Sequence, residues 1–480
     1  MTKLLPQRIR QLWQHQEVEV LDDHVRGLER NRRAMLTGSV ATIARAVQIC
    51  TSLVTVPLTL KYLGNERFGL WMTISSVLAM AAFADFGVGN GVLNTVAKAF
   101  GQDDIEGIRR AVSSGFMVLS SIAIILLFTF FSVFWFVNWA DFFGVVSPQA
   151  RLEAGPALAV FATCFALNIS MDVVQRVQLG LQEGYRYSLW QLCGSLMGFW
   201  GVLSGLWLHV SLPVLVVAIA GAPIVATTLN VIHFFCFVRP DLRPCGFYVS
   251  RNTIFHIAKL GGLFFVLQTV CAISFSADNF IIARMLGAVN VPEYSIPQRM
   301  FSLISMMSGM LVAPLWPAYG EAISRGDIGW VRNTLRKSLL LVLGCTATAS
   351  CILLLLSHTL IYWWVGSRIH PSFVLLLGIA AWTVFASCGD ALAMFMNGGG
   401  VVRFQVVSAS LFGIGCISLK IIFVQRFGVT GLPWATIATY MLFSLLPCLL
   451  YVRFFINRLR IKNMAHTAME TNSQEANCGT

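Results

Sequence analysis

Apolar residues run in long blocks along almost the whole chain, separated by short polar stretches. Blocks of roughly 20 apolar residues are long enough to cross a bilayer core of about 30 Å as α-helices. The runs are continuous, without the apolar–polar alternation of barrel strands. They predict helices near 36–60, 68–93, 111–137, 155–178, 188–208, 212–237, 255–283, 293–318, 338–365, 372–396, 402–424 and 430–457. A helix satisfies its own backbone groups within lipid, so this pattern predicts an all-α integral membrane protein of about twelve spans.

Polar positions divide the chain further. Residues 1–35 precede the first block, and their acidic residues and lack of an apolar core exclude a cleavable signal peptide. Leu5, Ile9, Leu12 and Trp13 would share one helical face there, giving either a surface-lying helix or a solvated leader. The segment 238–253, with two prolines, separates a six-span bundle (36–237) from a second (254–457), and 458–480 forms a polar tail.

The two halves repeat. Leu63-Gly64 and Leu286-Gly287 close equivalent hairpins, and Asp104 and Arg109 match Asp327 and Arg332, all at an offset of 223. Asp172 and Asp390 match at an offset of 218. Duplicated halves of the same orientation predict two pseudo-symmetric bundles around a central cavity.

Composition agrees: 56% of the residues are hydrophobic and 12% charged, against about a quarter charged in soluble domains. The net charge of +12 does not point to nucleic acid, because its placement follows the membrane. Twenty-four of the 34 lysines and arginines fall on the side of the termini and six on the other, with four inside spans. The positive-inside rule then puts both termini in the cytoplasm. No phosphate-binding Gly-rich loop with its Lys occurs. The cysteines sit mainly inside spans without C-x-x-C spacing, and the histidines are scattered, so neither a metal site nor a cofactor is expected.

The run Tyr62-Leu63-Gly64-Asn65-Glu66-Arg67-Phe68-Gly69-Leu70-Trp71, followed by Asp85-Phe86-Gly87-Val88-Gly89, resembles the start of polysaccharide (O-antigen type) flippases. These belong to the multidrug/oligosaccharidyl-lipid/polysaccharide exporter superfamily. Asp278-Asn279-Phe280-Ile281-Ile282, Leu286-Gly287, Tyr294-Ser295, Arg299 and Pro314-Leu315-Trp316-Pro317 extend the resemblance, which spans about 36–457. The long leader departs from the family. The resemblance implies a non-enzymatic transporter in a bacterial inner membrane. It would move polyprenyl-pyrophosphate-linked oligosaccharides between leaflets by alternating access, alongside membrane lipids and other polysaccharide-assembly proteins. A cation-coupled drug exporter of the same superfamily is the alternative. A membrane glycosyltransferase or polymerase is a further one, although the loops are short for a catalytic centre.

Charges inside spans carry the candidate chemistry, since each costs about 2.5–3.5 kcal/mol at mid-bilayer without a partner or a wet cavity. A pyrophosphate calls for cations facing a cavity, and arginine's fork matches phosphate oxygens. Arg45, Arg299 and Lys259 are the candidates. The plainer alternatives are pairing of Arg45 with Asp85 and of Arg299 with Asp278, and snorkelling of Lys259 and Lys420 to the interface. Asp85, Asp278 and Asp390 are candidate ion-coupling or cavity carboxylates, Asp390 having no charged neighbour within its span. Asp172 and Arg176 are placed for a local pair. Asn90 and Asn94 are candidate sugar contacts.

Overall fold

The computed structural model describes residues 23–80, 84–287, 290–365, 371–459 and 461, and all regular structure among them is helical. The apolar face expected at Leu5–Trp13 and most of the tail lie outside the described residues. We number the main helices α1 (23–63), α2 (65–80), α3 (Val88–Gly101), α4 (Ile105–Phe134), α5 (Pro148–Gly180), α6 (Gly184–Trp207) and α7 (Leu212–Val238). The second half contributes α8 (Arg251–Met285), α9 (Val291–Val312), α10 (Leu315–Arg325), α11 (Ile328–Val365), α12 (Phe373–Gly398), α13 (Val402–Phe427) and α14 (431–459).

Ten stretches among the described residues are long and apolar enough to span a membrane, the last running from Val402 to Leu459. That last stretch folds back at Gly428, whose φ of 61° ends α13, and so makes two passes. The return pass through α2 and α3 is broken between them and adds one more, giving the twelve passes read from the sequence. Large apolar side chains such as Ile124, Phe128, Leu355 and Ile414 point outward. In water such a surface would aggregate, whereas in lipid it faces its proper solvent.

The repeat is visible in the backbone. Gly64 and Gly287 both adopt positive φ (74° and 95°), as do Asp103 and Gly326 (54° and 81°), each pair 223 residues apart. Asp104 caps α4 by accepting from the Gly107 amide, and Asp327 accepts from the Trp330 amide at the start of α11. The two passes interrupted near the bilayer centre, α2–α3 and α9–α10, are also counterparts. Each half has its own buried apolar clusters, for example around Val92 and Val112 in the first and around Ile282 and Ile379 in the second.

Residues of the Tyr62–Trp71 run at the first hairpin tie parts of the first half together. Arg67 makes a two-bond contact with Glu153 at 2.6 and 2.7 Å, Glu66 accepts from the Ser147 amide, and Tyr62 donates to the Val210 carbonyl. One boundary differs from expectation. The first helix is already formed at Asp23, the first described residue, well before position 36, and Gly27 and Gly38 pack against Trp330 and Met310–Leu311 of the second half.

The halves touch mainly at the end that holds the described chain ends, where α3 lies against α8 and α10. The contact is close because it is built on glycine: a Cβ on Gly87 would fall 2.3 Å from the Gly261 carbonyl oxygen, and one on Gly91 2.6 Å from that of Ile257. Gly87 also has φ of 70°, a conformation costing an L-residue about 1–2 kcal/mol. Gly87→Ala is therefore expected to lower the melting midpoint of the detergent-solubilised protein clearly. Gly69→Ala, in a helix with nothing near its Cβ position, should leave the midpoint unchanged or raise it by the equivalent of about 0.5–1 kcal/mol.

Candidate functional site

Charged side chains gather in three places: a cavity in the second half, a cluster in the first, and the contact between the halves.

The cavity has a volume of about 900 Å³ and lies between α8, α9, α12, α13 and α14. On its wall, Asp278 is bound on both oxygens: the Lys420 ammonium donates to Oδ1 at 2.5 Å and the Tyr294 hydroxyl to Oδ2 at 2.6 Å. Lys420 also donates to the Ser274 carbonyl and is fully buried. This corrects two expectations. Lys420 does not snorkel, because its face of α13 is packed against α8 around Ser274. Asp278 pairs with Lys420 and not with Arg299.

That pairing leaves Arg299 and Asp390 on the cavity lining with no hydrogen-bond or ion-pair partner for their charged groups among the described residues. Arg299 is exposed and stands at the rim. It is eleven residues from Met310, so it lies about 20° from it around α9. Met310 and its neighbour Leu311 are the residues that meet Gly38 of α1.

Arg45 is similarly placed on α1. It follows Gly38 by seven residues, two turns further along the same face. Its guanidinium donates to Gln48 at 2.6 Å and lines a cavity of about 440 Å³ with Thr51, Ser52, Ser195 and Phe199, all of the first half. The two arginines thus line separate cavities, one in each half. Pairing of Arg45 with Asp85 does not occur. Asp85 instead accepts from the Gly87 amide at 2.9 Å, stabilising the break between α2 and α3.

Asp85 belongs to the second cluster, with Asn90, Asp172 and Arg176. Arg176 lies 3.5 Å from Asp172 and donates to Asn90 at 2.8 Å. Arg176 and Asp85 both crowd the bare face of Gly89, whose Cβ would fall 2.7 and 3.0 Å from them. Asn90 is thus under Arg176, and Asn94 accepts from the Trp316 indole across the contact between the halves at 2.6 Å. Lys259 is exposed on α8 and lines neither cavity.

The third group closes the cleft at the end holding the chain ends. Arg30 of α1, 4% exposed, donates to Asp327 at 2.5 Å, lies 3.4 Å from Glu321 and stacks over Trp330. In the reverse direction Arg325 of α10 holds Asp103 through bonds of 2.6 and 2.7 Å. Gln182 donates to Glu321 from the first half. Each half lends an arginine to a carboxylate of the other. Arg325 holds the Asp103 carboxyl below the usual carboxylate range through hydrogen bonding. Its contribution to closure is therefore present at neutral pH and lost as pH falls through that lowered value. Sequence reading missed this group, because its members lie in loops and helix ends, where charge is ordinary. The one available signal was Arg30, in a leader for which both a surface-lying helix and a solvated segment are expected alternatives.

A bundle of twelve apolar passes in two related halves, closed at one end and lined with charge inside, defines a multi-pass membrane transporter. The sequence profile of the family described as polysaccharide biosynthesis protein matches residues 38–322, and the chain belongs to that family. It is 22% identical over 406 residues to a protein named for O-antigen export in Yersinia pseudotuberculosis, covering 83% of this chain and 91% of that one. A protein named as an O-antigen transporter in Shigella flexneri is 22% identical over 354 residues, covering 72% and 78%. Among solved structures, an outward-facing multidrug MATE transporter of the MOP superfamily superposes with a TM-score of 0.73 at 16% identity, over 90% of this chain and 97% of that one. A MOP superfamily transporter from Pyrococcus furiosus superposes at 0.76 and 15%, over 92% and 100%. These place the chain in the MOP fold.

Two predictions follow from the charge geometry. Lys420→Met should destabilise by about 3–5 kcal/mol by stranding Asp278, and adding Asp278→Leu should recover much of that loss, as read by melting in detergent. Arg325→Asp should abolish transport without loss of membrane abundance, and combination with Asp103→Arg should restore it in part.

Proposed function

We propose that this protein is an inner-membrane flippase that carries a polyprenyl-pyrophosphate-linked oligosaccharide from the cytoplasmic to the outer leaflet by alternating access. One observation carries the reading: Arg45 of the first half and Arg299 of the second each line a cavity without a carboxylate partner among the described residues. An anionic headgroup entering between them satisfies both, and two planar forks suit a pyrophosphate better than a single ammonium. Lys259, near the closed end of α8, attracts the headgroup before entry. The cationic bias on the side of the termini puts that side in the cytoplasm. On this reading the present state is closed to the cytoplasm by the Arg30–Asp327 and Arg325–Asp103 bonds and open to the opposite side.

The lipid tail remains in the bilayer while only the polar head crosses. The relatives' names support a surface polysaccharide cargo, and the two arginines without carboxylate partners support a phosphate-bearing one. A drug exporter would instead be selected for organic cations, for which the two unpaired arginines are unfavourable.

In a host lacking its own flippase, Arg45→Ala and Arg299→Ala should each reduce surface polysaccharide at least about tenfold at unchanged membrane abundance, the effect of losing one charged hydrogen bond to phosphate. Arg→Lys at either site should recover only part of the activity. Full activity of both alanine variants would remove the headgroup role.

A further inference from the structure

The cavity of the second half holds more polar groups than phosphate recognition uses. Asp390 faces it from α12 without a partner. Gln405 of α13 is 7% exposed, and its Nε2 donates to the Ala393 carbonyl, so its Oε1 is directed away and has no partner. Gln298 of α9 likewise has a buried Oε1 without a partner. These are acceptors, and an acceptor buried without a donor is costly. Lys420 is committed to Asp278 and Ser274, and Arg299 stands at the rim without bonding any of them. The surplus calls for a ligand rich in donors.

The internal repeat sharpens this. At the offset of 218, Asp390 corresponds to Asp172 and Met394 to Arg176. In the first half Arg176 lies beside Asp172. In the second, the position one turn on from Asp390 is an uncharged thioether, partly buried against Val312, Val342 and Ala391. One half's carboxylate has its own cation nearby, and the other's is left open to the cavity.

The cavity also has an aromatic corner. Tyr440 meets Trp382 edge-on at 5.2 Å, and Phe275, partly exposed, lies 5.7 Å from Trp382. Flat apolar faces beside unpaired acceptors match a pyranose ring, which carries C–H bonds on its faces and hydroxyls around its edge. A volume of about 900 Å³ lies within the ~300–1,000 Å³ usual for small-ligand sites.

We infer that this cavity is a saccharide-binding subsite, with Asp390, Gln405 and Gln298 accepting from sugar hydroxyl or amino groups and the ring packing on Phe275 and Tyr440. The inference rests on the flippase reading and adds a division of labour to it. Arg299 at the rim takes the phosphate, and the interior takes the sugars next to it.

The test is binding of lipid-free saccharide, which bypasses the headgroup. Repeat-unit oligosaccharide released by mild acid from the host's own lipid carrier is titrated onto the purified full-length transporter in detergent by calorimetry, with sodium titrated separately. Wild type should bind the oligosaccharide saturably, and Asp390→Asn and Gln405→Leu should each weaken it about tenfold. Phe275→Ala, which removes no hydrogen-bonding group, should weaken it as well, with each variant's melting midpoint checked for folding. Arg299→Ala should retain saccharide binding while losing transport of the lipid-linked form. If Arg299→Ala transports normally while Asp390→Asn loses saccharide, the headgroup reading fails and the subsite stands. Wild type that binds no oligosaccharide, or variants that bind it like wild type, would overturn the inference. So would wild type that binds only sodium, lost in Asp390→Asn, since the carboxylate would then be a cation site.

Discussion

Hydrocarbon offers no hydrogen bonds, and this constraint orders nearly everything in the molecule. Backbone groups are satisfied by helices, so the chain is all helix where it crosses. Side-chain charge must find a partner or water. Lys420 and Asp278 find each other, with Tyr294 occupying the second carboxylate oxygen. Arg176 finds Asp172 and Asn90. Arg299 and Asp390 have no such partner among the described residues, and both line the cavity of about 900 Å³ in the second half.

The same constraint explains how two related halves came to differ. Their backbones keep matching left-handed residues and matching helix caps across the 223-residue repeat. Their interiors do not keep matching charges. Gly87, Gly261 and Gly91 bring the halves into backbone contact at one end, where a side chain of any size would hold them apart. Ion pairs of Arg30 with Asp327 and of Arg325 with Asp103 join the halves at that end.

The fold was legible in the sequence because lipid makes hydropathy and loop charge nearly decisive. The number of passes, the repeat and the paired halves all came from those two patterns. The site was legible in part. Arg45, Arg299 and Asp390 stood out as charges within spans, and each lines a cavity in the structure. Partners were not legible, because pairing depends on which helix faces which. Depth alone favoured Arg299 for Asp278, whereas the packing of α8 on α13 supplied Lys420 instead. Asn94 read as a sugar contact, yet it bonds Trp316 across the halves, a role that only the closed arrangement reveals. The ion pairs at the closed end escaped notice because nothing in composition separates a gating arginine from a solvated one.

The first helix is unbroken from Asp23 to the turn at Gly64, a rod of about 60 Å at 1.5 Å per residue. One end of that rod is clamped to the far half by Arg30, and its middle carries Arg45. A stiff rod transmits displacement along its length without needing a chain of rearranging side chains. Anything that grips the segment ahead of Asp23 would have mechanical leverage over both the clamp and Arg45 at once.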